Sequence, residues 1–66
     1  MLLQVNGEPR EFDPPMTVAS LVEKLGLDGR KIAVERNLEI VPRSAYPLTA
    51  LDEGDRLEIV NFVGGG

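Results

Sequence analysis

The chain has 66 residues, eleven acidic and seven basic, for a formal net charge of −4, and it contains neither cysteine nor histidine. That length fits one domain, which buries only about 60% of the surface its unfolded chain exposes. Without cysteine there is no disulfide, thiolate nucleophile or thiolate metal ligand. Without histidine the usual zinc site, the usual general base near neutral pH and any Ser-His or Cys-His pair are excluded.

Arg10, Arg30, Lys31, Arg36, Arg43 and Arg56, six of the seven basic residues, are scattered among acids. Nucleic-acid binders show a clustered basic face, so no nucleic-acid partner is expected. No apolar run approaches the roughly 20 residues that cross a membrane. The opening stretch MLLQVNGEP lacks the basic and long apolar regions of a signal peptide. The expectation is a cytoplasmic protein with no membrane partner.

Met1, Leu3 and Val5 alternate with Leu2, Gln4 and Asn6, which predicts a strand with one apolar face. Asn6-Gly7 is a strong hairpin signal, because a type I′ turn needs positive φ at both central residues. The returning strand is expected to run through Arg10 to Asp13, with Phe12 toward the core. Pro9 suits a strand end, where its missing N–H breaks no ladder bond.

Pro14-Pro15 interrupts that strand, and MTVASLVEKLGL then reads as one helix. Thr17 is placed as its N-cap. Met16 and Leu21 occupy the positions of a hydrophobic staple. Val18, Leu21, Val22 and Leu25 share one face. Gly26 is expected at the left-handed C′ position, with Leu27 folding back on Val22.

Asp28-Gly29 reads as a turn and KIAVERN as a short buried strand. Asn37 is assigned to a tight turn, since asparagine tolerates left-handed φ. A short strand EIV ends at Pro42. Residues 43–50 read as irregular, with the Tyr46 ring as a packing plug. LDEGD is a turn, and residues 56–63 form the last strand. Three glycines, Gly64, Gly65 and Gly66, follow it.

One helix with a single apolar stripe needs one sheet to cover it. The order predicts an α+β fold of the β-grasp, ubiquitin-like arrangement, with a four- or five-stranded mixed sheet on one helix. The first and last strands should lie parallel in its middle, since they carry the most apolar alternation. Residues 1–63 form the domain, and residues 64–66 a flexible glycine tail.

Asp52, Glu53 and Asp55 cluster on the LDEGD turn, but their spacing matches no cation-binding loop, so no metal site is assigned. In the last strand Leu57 and Ile59 point to one side, Val60 and Phe62 to the other. The latter pair either forms a partner-binding patch on the open sheet face or lies under residues 43–50. The tail can thread a channel too narrow for any Cβ, and its reactive group is the Gly66 carboxylate. A carboxylate is a poor electrophile, and its simplest activation is as an acyl-adenylate made from ATP by another protein.

The stretches VERNLEIVPR and IVNFVGGG, with the length and element order, resemble the ThiS family of sulfur carriers in thiamin biosynthesis. The resemblance runs over essentially the whole chain. It implies that Gly66 is adenylated by a ubiquitin-activating-enzyme-like adenylyltransferase of the ThiF type and converted to a thiocarboxylate. Sulfur would come from a cysteine desulfurase or another donor and pass to thiazole synthase of the ThiG type. The family's terminal pair maps onto Gly65 and Gly66, and Gly64 fits a variant with a third glycine. The chain would then be a protein co-substrate rather than an enzyme, with no cofactor of its own, ATP being used by its partner. The terminal glycines alone are shared with the small subunit of molybdopterin synthase and with ubiquitin-like modifiers, and a plain β-grasp interaction module is the further alternative.

Overall fold

The computed structural model describes residues 1–62. Five strands, β1 (Leu2–Val5), β2 (Glu8–Glu11), β3 (Ile32–Arg36), β4 (Glu39–Val41) and β5 (Arg56–Asn61), form one sheet in the order β2-β1-β5-β3-β4. One helix, α1 (Val18–Lys24), covers a single face of it. β1 runs parallel to β5, and the other neighbours are antiparallel. This is the expected mixed sheet, with five strands and with the first and last strands adjacent at its centre.

The first hairpin forms where Asn6-Gly7 places it, with φ of +52° and +82°. Its two-residue turn makes Val5 and Glu8 a hydrogen-bonded pair, so the next pair, Gln4 and Pro9, is not one. Pro9 therefore removes a donor only from the free edge of β2. A strand of four exposed residues, EPRE, on that edge discourages pairing with another sheet. β2 stops at Glu11, short of the expected Asp13. Phe12 is half-buried against the core, and its N–H donates to the Met1 carbonyl at 2.9 Å.

The helix begins at the expected cap. The Thr17 hydroxyl accepts from the Ser20 N–H at 3.2 Å, and the Ser20 hydroxyl accepts from the Thr17 N–H at 2.9 Å. This reciprocal capping box uses serine where glutamate or glutamine is usual. Met16 and Leu21, the staple pair, are both buried. At the other end Gly26 has φ +73°, with Gly26 N–H on the Glu23 carbonyl and Leu27 N–H on the Val22 carbonyl, a full Schellman ending. The stripe of Val18, Leu21 and Val22 packs with Leu3, Val34 and Leu57 of the sheet in one core.

Two segments differ from the sequence reading. Asp28 is not half of a simple turn. Its carboxylate caps a 3-10 turn over Gly29–Lys31 by accepting from the Arg30 N–H, and β3 starts only at Ile32. Residues 43–48, expected to be irregular, form a second 3-10 helix containing Pro47. A 3-10 helix of this length survives here because Tyr46 is buried under it. Burial pushes the Tyr46 phenol above its ordinary value, against a smaller opposite effect of Arg43, as befits a packing plug. The chain after this helix ties down the start of α1. Val18 N–H donates to the Thr49 carbonyl, and Leu51 N–H to the Met16 carbonyl.

The LDEGD turn is tied into the fold through Asp55. Asp55 is buried, and its carboxylate accepts from Arg36 Nε at 2.9 Å, Asn37 Nδ2 at 3.1 Å and the Asp52 N–H at 2.8 Å. Burial alone would raise its pKa, but these donors outweigh burial and hold it below the ordinary 3.8. A carboxyl lowered in the folded state stabilises the fold while ionised. That contribution is complete above 3.8 and is lost as pH falls through 3.8 and then through the lower folded value.

Replacing Asp55 with alanine removes the acceptor of three part-buried hydrogen bonds and is expected to cost about 1–3 kcal/mol. Chemical denaturation at pH 7 measures this. The gap between natural and variant chains should narrow as pH falls below 3.8 if the ionised carboxylate is the stabilising species, and a gap independent of pH would contradict it.

Candidate functional site

β5 lies at the centre of the sheet and is held from both flanks. On the β3 side its register runs from Arg36 opposite Leu57 to Ile32 opposite Asn61, and Phe62 N–H still donates to the Lys31 carbonyl at 3.1 Å. On the other side β1 ends at Val5, but the pairing does not. The Asn6 side chain continues it, accepting from the Ile59 N–H at 2.7 Å and donating to the Ile59 carbonyl at 3.2 Å. Asn37 does the same for the start of β5. Its side-chain oxygen accepts from the Arg56 N–H at 3.0 Å and its amide donates to Asp55. Each asparagine opens a two-residue turn at positive φ, 52° for Asn6 and 51° for Asn37. The sequence marks both as turn formers. Their second role is clamping the central strand, which glycine could not fill despite its freer φ.

Alternation along β5 separates two surfaces. Leu57 is fully buried and Ile59 nearly so. Val60 is 59% exposed and Phe62 64%, so both stand on the open face away from α1. The 3-10 helix that could have covered them instead sits on the core side with Tyr46. Of the two alternatives the sequence left, exposure is the one realised. Ile40 of β4, not singled out in the sequence, is also exposed at 65%. Phe62 and Ile40 line a shallow hollow of about 330 Å³ together with Arg43 and Tyr46. Parity could have flagged Ile40, since buried Val41 puts its neighbour on the opposite face.

Gly64, Gly65 and Gly66 lie outside the described residues, so the candidate reactive carboxylate is assigned from sequence. Among the described residues no group of three or more acidic side chains is placed to hold a metal ion. None of their helices is long and apolar enough to cross a membrane.

The family model described as the ThiS family matches residues 3–66, through the last glycine. The chain is 59% identical over its full length to part of a thiazole synthase from Paramagnetospirillum magneticum, of which it spans 20%. It is 36% identical to the sulfur carrier protein ThiS of Bacillus subtilis, over 98% of this chain and all of that one. The crystal structure of the thiamine biosynthesis protein ThiS from Geobacter metallireducens superposes with a TM-score of 0.85 at 35% identity, each chain covered completely. The match over nearly every residue, the shared β-grasp fold and the glycine ending agree: this chain belongs to the ThiS family.

Proposed function

We propose that the protein is a sulfur carrier in thiamin biosynthesis and that the Gly66 carboxylate is its working group. The observation that carries this reading is the family match extending through Gly66. The carboxylate attacks the α-phosphorus of ATP on an adenylyltransferase and releases pyrophosphate. Sulfur at the sulfide level then displaces AMP from the acyl-adenylate, leaving a thiocarboxylate. Thiazole synthase takes up that sulfur at the sulfide level, and an oxygen atom from its substrate or from water replaces it to return the carboxylate. The thiazole synthase relative that contains a stretch like this chain supports that enzyme as the acceptor. The protein is consumed and regenerated as a co-substrate, and the chemistry belongs to its partners.

The fold divides the labour accordingly. β5 is clamped along its length by Asn6, Asn37 and β3. Val60 and Phe62 give a partner an apolar hold immediately before the glycines. A side chain at residue 66 would collide with a channel shaped for glycine, and a further residue would move the carboxylate past the bound nucleotide.

A reacting atom misplaced by about 1 Å can lose on the order of 100-fold in rate. Gly66→Ala, and separately an alanine appended after Gly66, should each reduce pyrophosphate exchange with the cognate adenylyltransferase by about that factor, without moving the melting temperature. If the extended chain is adenylated and sulfurated like the natural one, Gly66 is not the working end.

Val60→Asp and Phe62→Asp should each weaken binding to the adenylyltransferase by about 1–4 kcal/mol, the range of an interface anchor. Both residues are exposed, so thermal melting should change little. By contrast Leu57→Ala should cost about 2–5 kcal/mol of stability. A large loss of stability in the aspartate variants, with affinity retained at low temperature, would place Val60 and Phe62 in the core's service instead.

A further inference from the structure

The open sheet face carries a feature that folding alone does not explain. In the β3–β5 pair, Glu35 lies directly opposite Glu58. Their strand neighbours Val34, Leu57 and Ile59 are buried, so both glutamates point to the open face. Like charges directly opposite each other destabilise a sheet. Among the described residues neither glutamate has an ion pair. Arg36, beside Glu35 in sequence, is turned to Asp55 and Asp52. Arg56, two residues before Glu58 on the same face, pairs with neither.

Apolar residues flank the pair on its β4 side and toward the end of β5, while Arg56 flanks it toward the start of β5. Ile40 of β4 is the partner of Glu35, and Ala33 opposite Val60 is the next pair on the same face of β3 and β5. A protein that covers Ile40 and Val60 must therefore also cover two carboxylates. Removing them from water without a cation carries a large desolvation penalty. The face rejects an apolar or acidic surface and accepts one that brings positive charge.

We propose that the adenylating partner seats a basic side chain, arginine or lysine, between Glu35 and Glu58, with Ile40 and Val60 flanking it. A guanidinium can donate to both carboxylates at once. This inference rests on the sulfur-carrier reading and specifies how that face selects its partner. The adenylating enzyme is favoured over thiazole synthase by the relatives. In the Paramagnetospirillum thiazole synthase a stretch like this chain is part of the same polypeptide. A tethered contact gains effective concentration and needs little steering. An enzyme met by diffusion gains encounter rate and specificity from complementary charge.

The test uses the full chain with Glu35→Gln, Glu58→Gln and both, and the purified adenylyltransferase from the same organism, with binding followed by calorimetry at low and high salt. Each single substitution should keep or raise the melting temperature, because it relieves the cross-strand repulsion. Each should weaken binding at low salt about tenfold or more, as expected for breaking a covered charge pair. The double variant should also show a flatter salt dependence. Glutamine variants that bind as tightly as the natural chain at both salts overturn the inference and leave the carrier reading standing. So does a loss confined to thiazole synthase. A natural chain that neither binds the adenylyltransferase nor is adenylated removes the carrier reading and this inference together.

Discussion

The structure depends on one strand held from both sides. Among the described residues β5 is the only strand that pairs with both β1 and β3, and it supplies the fully buried Leu57 to the core. Backbone pairing secures its β3 flank over five register pairs. Its β1 flank has only two, Gln4 with Arg56 and Val5 with Leu57, and the amide of Asn6 supplies the next pair of bonds. Without that side chain the parallel pairing would end two residues before Ile59. Asn37 and Asp55 fix the opposite end, drawing the β3–β4 turn and the LDEGD turn onto the same strand. A strand fixed this way presents Val60 and Phe62 on a rigid surface, so a partner that grips them has a defined position for whatever follows in the chain.

The same strand carries two surfaces of opposite character. Its core side is closed by α1, whose ends are fixed by a capping box and a Schellman turn. Its open side combines exposed apolar side chains with an acidic pair that has no ion pair among the described residues, an arrangement that lowers the stability of the free chain. The fold tolerates this because the core residues on the alternate positions of β3 and β5 are almost completely buried. On the proposed reading, the open face is costly to cover with the wrong surface, which favours discrimination between partners over tight binding to any of them.

Much of this was legible in the sequence where the signal is local. Thr17 and Gly26 mark the helix ends because capping chemistry depends on residues within one turn. Asn6-Gly7 marks the first hairpin because its φ values exclude most side chains. The central place of β1 and β5 follows from their apolar alternation. Leu38 was not legible. It has φ +72° in the second turn, where a leucine is strained and glycine would be expected. The 3-10 helix at residues 43–48 left no periodic trace, since two short turns over a buried Tyr46 bury only that one side chain fully. Nor could the sequence place Glu35 against Glu58, because that juxtaposition exists only once the register of β3 and β5 is set. For the candidate site, parity alone put Val60 and Phe62 on one face, but whether residues 43–50 covered that face required the three-dimensional path of the chain. Gly66 was read from the sequence and the family resemblance alone.

The central claim is that sulfur travels on the carboxylate of Gly66. The most direct measurement is the intact mass of the chain purified from its native cell after thiamin starvation and removal of thiazole synthase, so that the loaded form is not discharged. The account predicts a species in which one oxygen has been replaced by sulfur, with fragmentation placing the change on Gly66. A chain that keeps its unmodified mass under these conditions, or one found joined covalently to other proteins without any sulfur-bearing form, would contradict it.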